Sequence, residues 1–241
     1  MYQLVISNFD TSLVCNGKRL KELHIPKEIN VVSCYNNKLK TLQCNDDLNV
    51  LDCSYNQLKL LKLNSKLCLL KCPDNYLPQL HLNDGLLKLN CANNRLKSLK
   101  LNDDLDFLNC SYNKLTSLKC NKNLKTLLCD DNLLTELELN DGLEYLECSD
   151  NKLPSIKYIP PTLKQIRCYG NNFDSETLIR ISRHSSEYTC FVTIDAYHYK
   201  KYLVLLLGFK DTYILKYMES YEMNHLEINH LLDIFNTPPS F

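Results

Sequence analysis

Thirteen cysteines run through this 241-residue chain, and most of them keep a fixed interval. Cys15, Cys34, Cys53, Cys72, Cys91, Cys110, Cys129 and Cys148 stand 19 residues apart, and Cys168 follows after 20. A thiol in such a series has four chemistries open to it: disulfide, metal ligand, nucleophile, or small hydrophobe in a core. Thirteen is odd, so complete internal pairing is impossible. Repeating rungs stacked in register would hold their Cβ atoms about 5 Å apart, whereas a disulfide wants about 3.8 Å and converging vectors. Zinc needs four ligands converging on a tetrahedron, and a straight file of thiols among leucines does not converge. No CxxC occurs, and Cys68 with Cys72 forms a lone CxxxC. A nucleophilic thiolate needs a lowered pKa and a nearby base, which an apolar file lacks. Packing as a small apolar side chain is the expected role.

The elements that would position these thiols follow from the rest of the period. Three residues after each cysteine comes asparagine, from Asn37 through Asn56, Asn75, Asn94, Asn113, Asn132 and Asn151 to Asn171, with Lys18 in the first unit. Five residues after comes an apolar residue, from Leu20 and Leu39 to Leu153 and Phe173. The unit reads CxxNxLxxLxLNxxLxxLx, with Cys44 and Cys120 standing in for leucine at one apolar place. In LxC the two apolar residues lie two apart, so both point to one face of a strand. Stacked units make a parallel sheet in which each coil touches its neighbours. A second alternating segment, as in Leu134–Asn140, follows in the same unit. Nineteen residues then hold two extended segments and two turns, with no room for a helix in each coil. The first asparagine is expected to turn the chain inward and bond to the backbone of adjacent coils. A second file, Asn45, Asn64, Asn83, Asn102, Asn121 and Asn140, precedes turns such as NDDL and NDGL. Calcium at the Asp46–Asp47 and Asp103–Asp104 pairs is disfavoured, because Ser65–Lys66 and Lys122–Asn123 occupy the same register.

With the unit rotated to LxxLxCxxNxL, as in LNVLDCSYNQL (Leu48–Leu58) and LEYLECSDNKL (Leu143–Leu153), the chain resembles the leucine-rich repeat family. The resemblance covers about residues 10–173. The short cysteine-containing units look like those of bacteria and of large DNA viruses of the mimivirus and entomopoxvirus kind. The last coil, LPSIKYIPPTLKQIRCYGNNF, is similar to the bacterial effector subtype, with prolines between its leucines. The resemblance implies a solenoid with a parallel strand face, used to bind another protein, possessing no enzymatic activity and needing no cofactor. Some effector relatives carry a C-terminal ubiquitin ligase domain with a Cys-x-Asp nucleophile. Here Cys190 is followed by Phe191 and Val192, and residues 174–241 are too few for that domain.

Three regions are expected: a capping segment over 1–14, the solenoid over 15–173, and an α-rich cap or appendage over 174–241. Within the last, 174–184 reads as a helix opened by Asp174, 187–194 as a strand, and 194–221 and 227–235 as helices. His225 and His230 are spaced wrongly for two ligands on one helical face, and Cys190 has no assigned role.

The 28 basic and 28 acidic residues cancel, so no overall field draws in nucleic acid or an anionic membrane. The longest apolar run, Tyr202–Leu207, falls far short of the roughly 20 residues that span a bilayer. No secretory signal opens the chain, and a reducing, cytoplasmic setting is expected for its thiols. No phosphate loop, dinucleotide fingerprint or Ser/His/Asp signature occurs. Four positions around each cysteine (three before, one before, one after and two after) are expected to face outward. Phe107, Asn109, Tyr112, Leu128, Tyr145 and Glu147 form the richest cluster among them, over three adjacent coils, and are the candidate partner-binding residues. A second possibility is an adaptor whose residues 174–241 recruit degradation or signalling machinery. A lysine stripe on the other side, Lys40, Lys59, Lys62, Lys97, Lys100 and Lys119, is expected to be a solvated face rather than a phosphate-binding one.

Overall fold

A computed structural model describes residues 11–188 and 191–193. The expected N-terminal cap residues before Thr11, Cys190, the helices over 194–221 and 227–235, and His225 and His230 lie outside the described residues.

Ten three-residue strands form one parallel sheet: β1 (Ser12–Val14), β2 (Val31–Ser33), β4 (Val50–Asp52), β6 (Leu69–Lys71), β7 (Lys88–Asn90), β8 (Phe107–Asn109), β10 (Thr126–Leu128), β12 (Tyr145–Glu147), β13 (Gln165–Arg167) and β14 (Phe191–Thr193). From β1 to β12 neighbours pair in 19-residue register, Phe107 beside Thr126 beside Tyr145, and Gln165 of β13 then pairs with Tyr145 at an interval of 20. The middle residue of each strand from β1 to β13 is buried and its flanks face outward, as a period of two requires. The opposite side of the coil carries β3 (Thr41–Gln43) paired with β5 (Leu60–Lys62), and β9 (Ser117–Lys119) paired with β11 (Glu136–Glu138). This second ladder is interrupted between them. Pro78 has no N–H to give where Lys59, one coil earlier, donates to the Lys40 carbonyl.

The core is the stack of these inward rungs. The cysteine file from Cys15 to Cys168 and the leucines two places before each cysteine from Cys53 to Cys148 are almost wholly buried. The asparagine file does what its place demands. Asn113 donates through Nδ2 to the carbonyls of Cys91, Cys110 and Ser111, and its Oδ1 accepts from the Leu96 N–H at 3.0 Å. The same four-bond pattern recurs at Asn56, Asn75, Asn94, Asn132 and Asn151. Each amide therefore stitches its own turn to the coil before it. The second file works through Nδ2: Asn64, Asn83, Asn102, Asn121 and Asn140 each donate to a leucine carbonyl sixteen residues earlier.

Strands end abruptly at the cysteine because the chain turns left-handed two residues later. Asn36, Tyr55, Asp74, Asn93, Tyr112, Asp131 and Asp150 all have φ between 50° and 57°, and Gly17 and Gly170 occupy the same place in the first and last coils. Asparagine and aspartate tolerate this region better than other residues with a Cβ. At Gly170 the choice is forced twice, since φ is 65° and an added Cβ would lie 2.3 Å from Asp150 Oδ1.

After Phe173 the coil gives way to α1 (Ser175–Tyr188). Asp174 caps it, its Oδ1 accepting the Thr177 N–H at 2.8 Å. Leu178 and Ile181 are buried, and Arg180 reaches the Ile156 carbonyl on the last coil. The helix starts one residue later and ends four residues later than the expected 174–184, and β14 then adds in parallel to β13, where a strand was expected over 187–194. Among the described residues no helix is long and apolar enough to cross a membrane.

Candidate functional site

The strand face is built by the outward residues of consecutive strands. One column, three places before each cysteine, reads Val31, Val50, Leu69, Lys88, Phe107, Thr126, Tyr145 and Gln165. Register sets Phe107, Thr126 and Tyr145 side by side on β8, β10 and β12, with rungs about 4.8 Å apart. The column one place before each cysteine sets Asn109, Leu128, Glu147 and Arg167 in the same way. Phe107, Asn109, Leu128 and Glu147 are half-buried and Tyr145 is 41% exposed. Five of the six expected residues thus share one hydrogen-bonded sheet surface.

Tyr112 does not belong to it. Of the four positions expected to face outward, two lie on the strands, because the strand stops before the cysteine; the other two lie in the turn beyond it, where Tyr35, Tyr55, Tyr112 and Tyr169 are exposed. The position after the cysteine turns inward in several coils: Ser54, Ser111 and Ser149 are buried, and Ser54, expected to face outward, is only 6% exposed. Two places after the cysteine the left-handed turn throws the side chain to the margin of the sheet. Tyr112 stands there, 59% exposed, with its hydroxyl on Asp131, and that bond holds its pKa above the usual tyrosine value.

The face also carries polar work that belongs to the fold. The N–H after each cysteine needs an acceptor. Asp52, Asn90 and Asn109 supply one from their own strands, to Ser54, Ala92 and Ser111. In two coils whose strands end in another residue the preceding coil supplies it: Asn16 accepts from the Tyr35 N–H, and Asp130 from the Ser149 N–H at 2.9 Å. Pro73 follows the coil that ends in Lys71 and has no N–H to satisfy. The side-chain oxygen Oδ1 of Asn109 is therefore engaged within its own turn. Glu147 pairs with Arg167 at 2.7 Å, Glu144 with Lys164 at 2.5 Å, and the Lys164 ammonium lies 5.8 Å from the centre of the Tyr145 ring. Lys164 was not legible as a site residue, because it precedes the strand by one place in a coil lengthened to 20.

Burial of Asp130 lifts its pKa above the ordinary aspartate value; the Ser149 N–H opposes this and the Glu147 charge adds to it. The cysteines behave as apolar core. Burial pushes Cys44 up to about 11 and Cys91 and Cys120 up to about 12, and Cys53, Cys110 and Cys148 well above the usual thiol range. The eleven cysteines from Cys15 to Cys148 are free thiols, Cys68 alone among them being exposed. Among the described residues no group of three or more His, Cys, Asp or Glu is placed to hold a metal. On the opposite side, an open groove of about 520 Å³ lies between Leu99, Leu118 and their neighbours. The lysine stripe borders it, and Lys119 is paired there with Glu138 at 2.7 Å.

No protein-family model matches the chain, and no curated protein does. Solved structures match it over the coils. The functional domain of InlJ from Listeria monocytogenes, described as including a cysteine ladder, is 29% identical, with a TM-score of 0.58 over 69% of this chain and 46% of that one. YopM from Yersinia pestis, a leucine-rich effector protein, is 27% identical, with a TM-score of 0.64 over 68% of this chain and 50% of that one. The chain has the leucine-rich repeat fold. A Shigella effector leucine-rich repeat domain, 23% identical with a TM-score of 0.58 over 78% of this chain and 83% of that one, shares it. The chain spans about half the length of the InlJ and YopM structures. Leucine-rich repeat solenoids of this kind are typically scaffolds for protein interaction.

Proposed function

We propose that this chain is a non-enzymatic protein-interaction module, binding one partner protein on the strand face around Phe107, Leu128 and Tyr145. The observation that carries the reading is the cluster of partly exposed apolar side chains, Phe107 and Tyr145 in one column and Leu128 in the next, held in register on a hydrogen-bonded sheet. Phe107, Leu128 and Tyr145 make no contact that the fold requires of an aromatic or a leucine at those places, since Lys88, Gln165 and Lys71 serve equally in other coils. Rigid strands present them with little ordering left to lose on binding, and flanking polar residues provide a rim. Free thiols along the ladder from Cys15 to Cys148 support a reducing compartment such as the cytoplasm. Bacterial effectors among the similar structures support an effector role.

Affinity capture from cell extract with wild type and the Phe107→Ala/Tyr145→Ala double variant tests the reading. Loss of at least one specific partner by a variant that melts like wild type is the expected result. Identical capture by both would remove the function from this face.

A further inference from the structure

We propose that the Asp130 carboxylate, at the margin of this face, receives a lysine or arginine side chain of the partner, whose adjoining apolar residue seats on Phe107, Leu128 and Tyr145. The proposal rests on the strand-face reading and narrows its partner to a basic–apolar protein segment.

The first ground is that the charge of Asp130 is surplus to the fold. Its structural task is to accept the Ser149 N–H, and in the first coil neutral Asn16 does the same task for the Tyr35 N–H. Elsewhere that position after the cysteine is Tyr, Ser, Pro or Ala, and only here is it a carboxylate. Ionised, it is half-buried two residues from Leu128 and faces the Glu147 charge, an arrangement that costs stability.

The second ground is that its own coils do not neutralise it. Its Oδ2 has only the Ser111 hydroxyl, at 3.4 Å. The cations of the coil that follows it but one, Arg167 and Lys164, are paired with Glu147 and Glu144, and the other cations of the strand face, Lys88 and Lys71, stand two and three strands away on β7 and β6. Beside it Asp131 is held by the Tyr112 hydroxyl. Ser149, whose N–H Asp130 accepts, is 1% exposed and its hydroxyl has no partner among the described residues. On the far side of the apolar column, Asp106 Oδ1 is likewise buried and unpartnered. The weakly satisfied Asp130 carboxylate therefore stands beside the apolar residues, and the complement of that pattern is a cation beside an apolar group. A side-chain cation fits better than a metal ion, because no three carboxylate, thiol or imidazole groups converge here.

A phage-displayed library of random twelve-residue peptides, selected on the full chain, supplies the probe. The selected peptides are expected to carry Lys or Arg beside an aliphatic or aromatic residue. Their affinity should fall with added salt and drop about tenfold or more in Asp130→Asn, which keeps the acceptor for Ser149 and should fold normally. Basic peptides that bind Asp130→Asn as well as wild type, yet fail on Phe107→Ala/Tyr145→Ala, would overturn the socket and leave the face standing. Peptides indifferent to both variants would overturn the face as well. Selection of acidic or neutral peptides, or of none, would overturn the proposal. So would stabilisation by Ca²⁺, or self-association, that is present in wild type and absent in Asp130→Asn.

Discussion

At the scale of single residues, the two types that mark each coil, asparagine and cysteine, have opposite requirements. Asparagine at its file position must satisfy its whole amide, and it does so against two coils at once. Asn113→Ala strands the Leu96 N–H and the carbonyls of Cys91 and Cys110 in the interior. A loss of about 3 kcal/mol in urea unfolding is expected; a loss below about 0.5 kcal/mol would show that water replaces the amide. Cysteine at its file position must only be small and apolar. Cys110→Ala should therefore cost about 1 kcal/mol and Cys110→Ser more, about 2 kcal/mol, because a hydroxyl there has no assigned partner. A larger loss for Ala than for Ser would contradict the packing role. Asp130 behaves in the contrary way. Its folded pKa is raised above its unfolded one, so stability present below the unfolded value is lost as pH rises through the folded value. Asp130→Asn should therefore melt no lower than wild type at pH 7, with its advantage vanishing as pH falls below the ordinary aspartate value. A clear fall in Tm at pH 7 would make the charge structural.

At the scale of the coil, much is legible in the residues alone. The period of 19 and the LxC alternation imply the parallel sheet, the inward cysteine and the stitching asparagine, because each follows from which residues share a strand face. The place where the strand stops is not legible. Periodicity marks inward positions but carries no sign of φ, so the left-handed turn two residues after the cysteine is hidden behind Tyr55, Tyr112, Asp131 and Asp150. That is why Tyr112, expected on the sheet, stands at its margin, and why Ser54, expected outside, is buried. Ion pairs such as Glu147 with Arg167 escape for a related reason, since they depend on which coil a long side chain leans toward. Turn geometry makes its own prediction. Gly170→Ala meets both a positive φ and Asp150, whereas at Gly17 nothing comes nearer than Asn36 Nδ2 at 4.0 Å. Gly170→Ala should lower Tm several degrees more than Gly17→Ala, and equal effects would mean that the Asp150 contact relaxes freely.

Across the whole molecule, the cysteine file turns a local packing choice into a collective property. Each buried thiol keeps its proton at pH values where the unfolded chain releases it. Stability should therefore be fully present below pH 9 and fall above it by about 1.4 kcal/mol per pH unit for each buried thiol, until the folded thiols themselves titrate. With so many rungs the solenoid should unfold over a narrow alkaline range. Replacing Cys91, Cys110 and Cys129 together by alanine should make that slope shallower, as read by circular dichroism across pH 8–11. An unchanged slope would show that the file does not titrate as buried thiols.

The central claim is that the periodic residues build a scaffold and the variable residues of the strand face do the binding. Paired capture and melting experiments on Phe107→Ala/Tyr145→Ala and on Cys110→Ala test it most directly. The face variant should lose its partner at an unchanged Tm, and the core variant should keep the partner at a lowered Tm. A face variant that retains every partner, or a folded core variant that loses one, would contradict it.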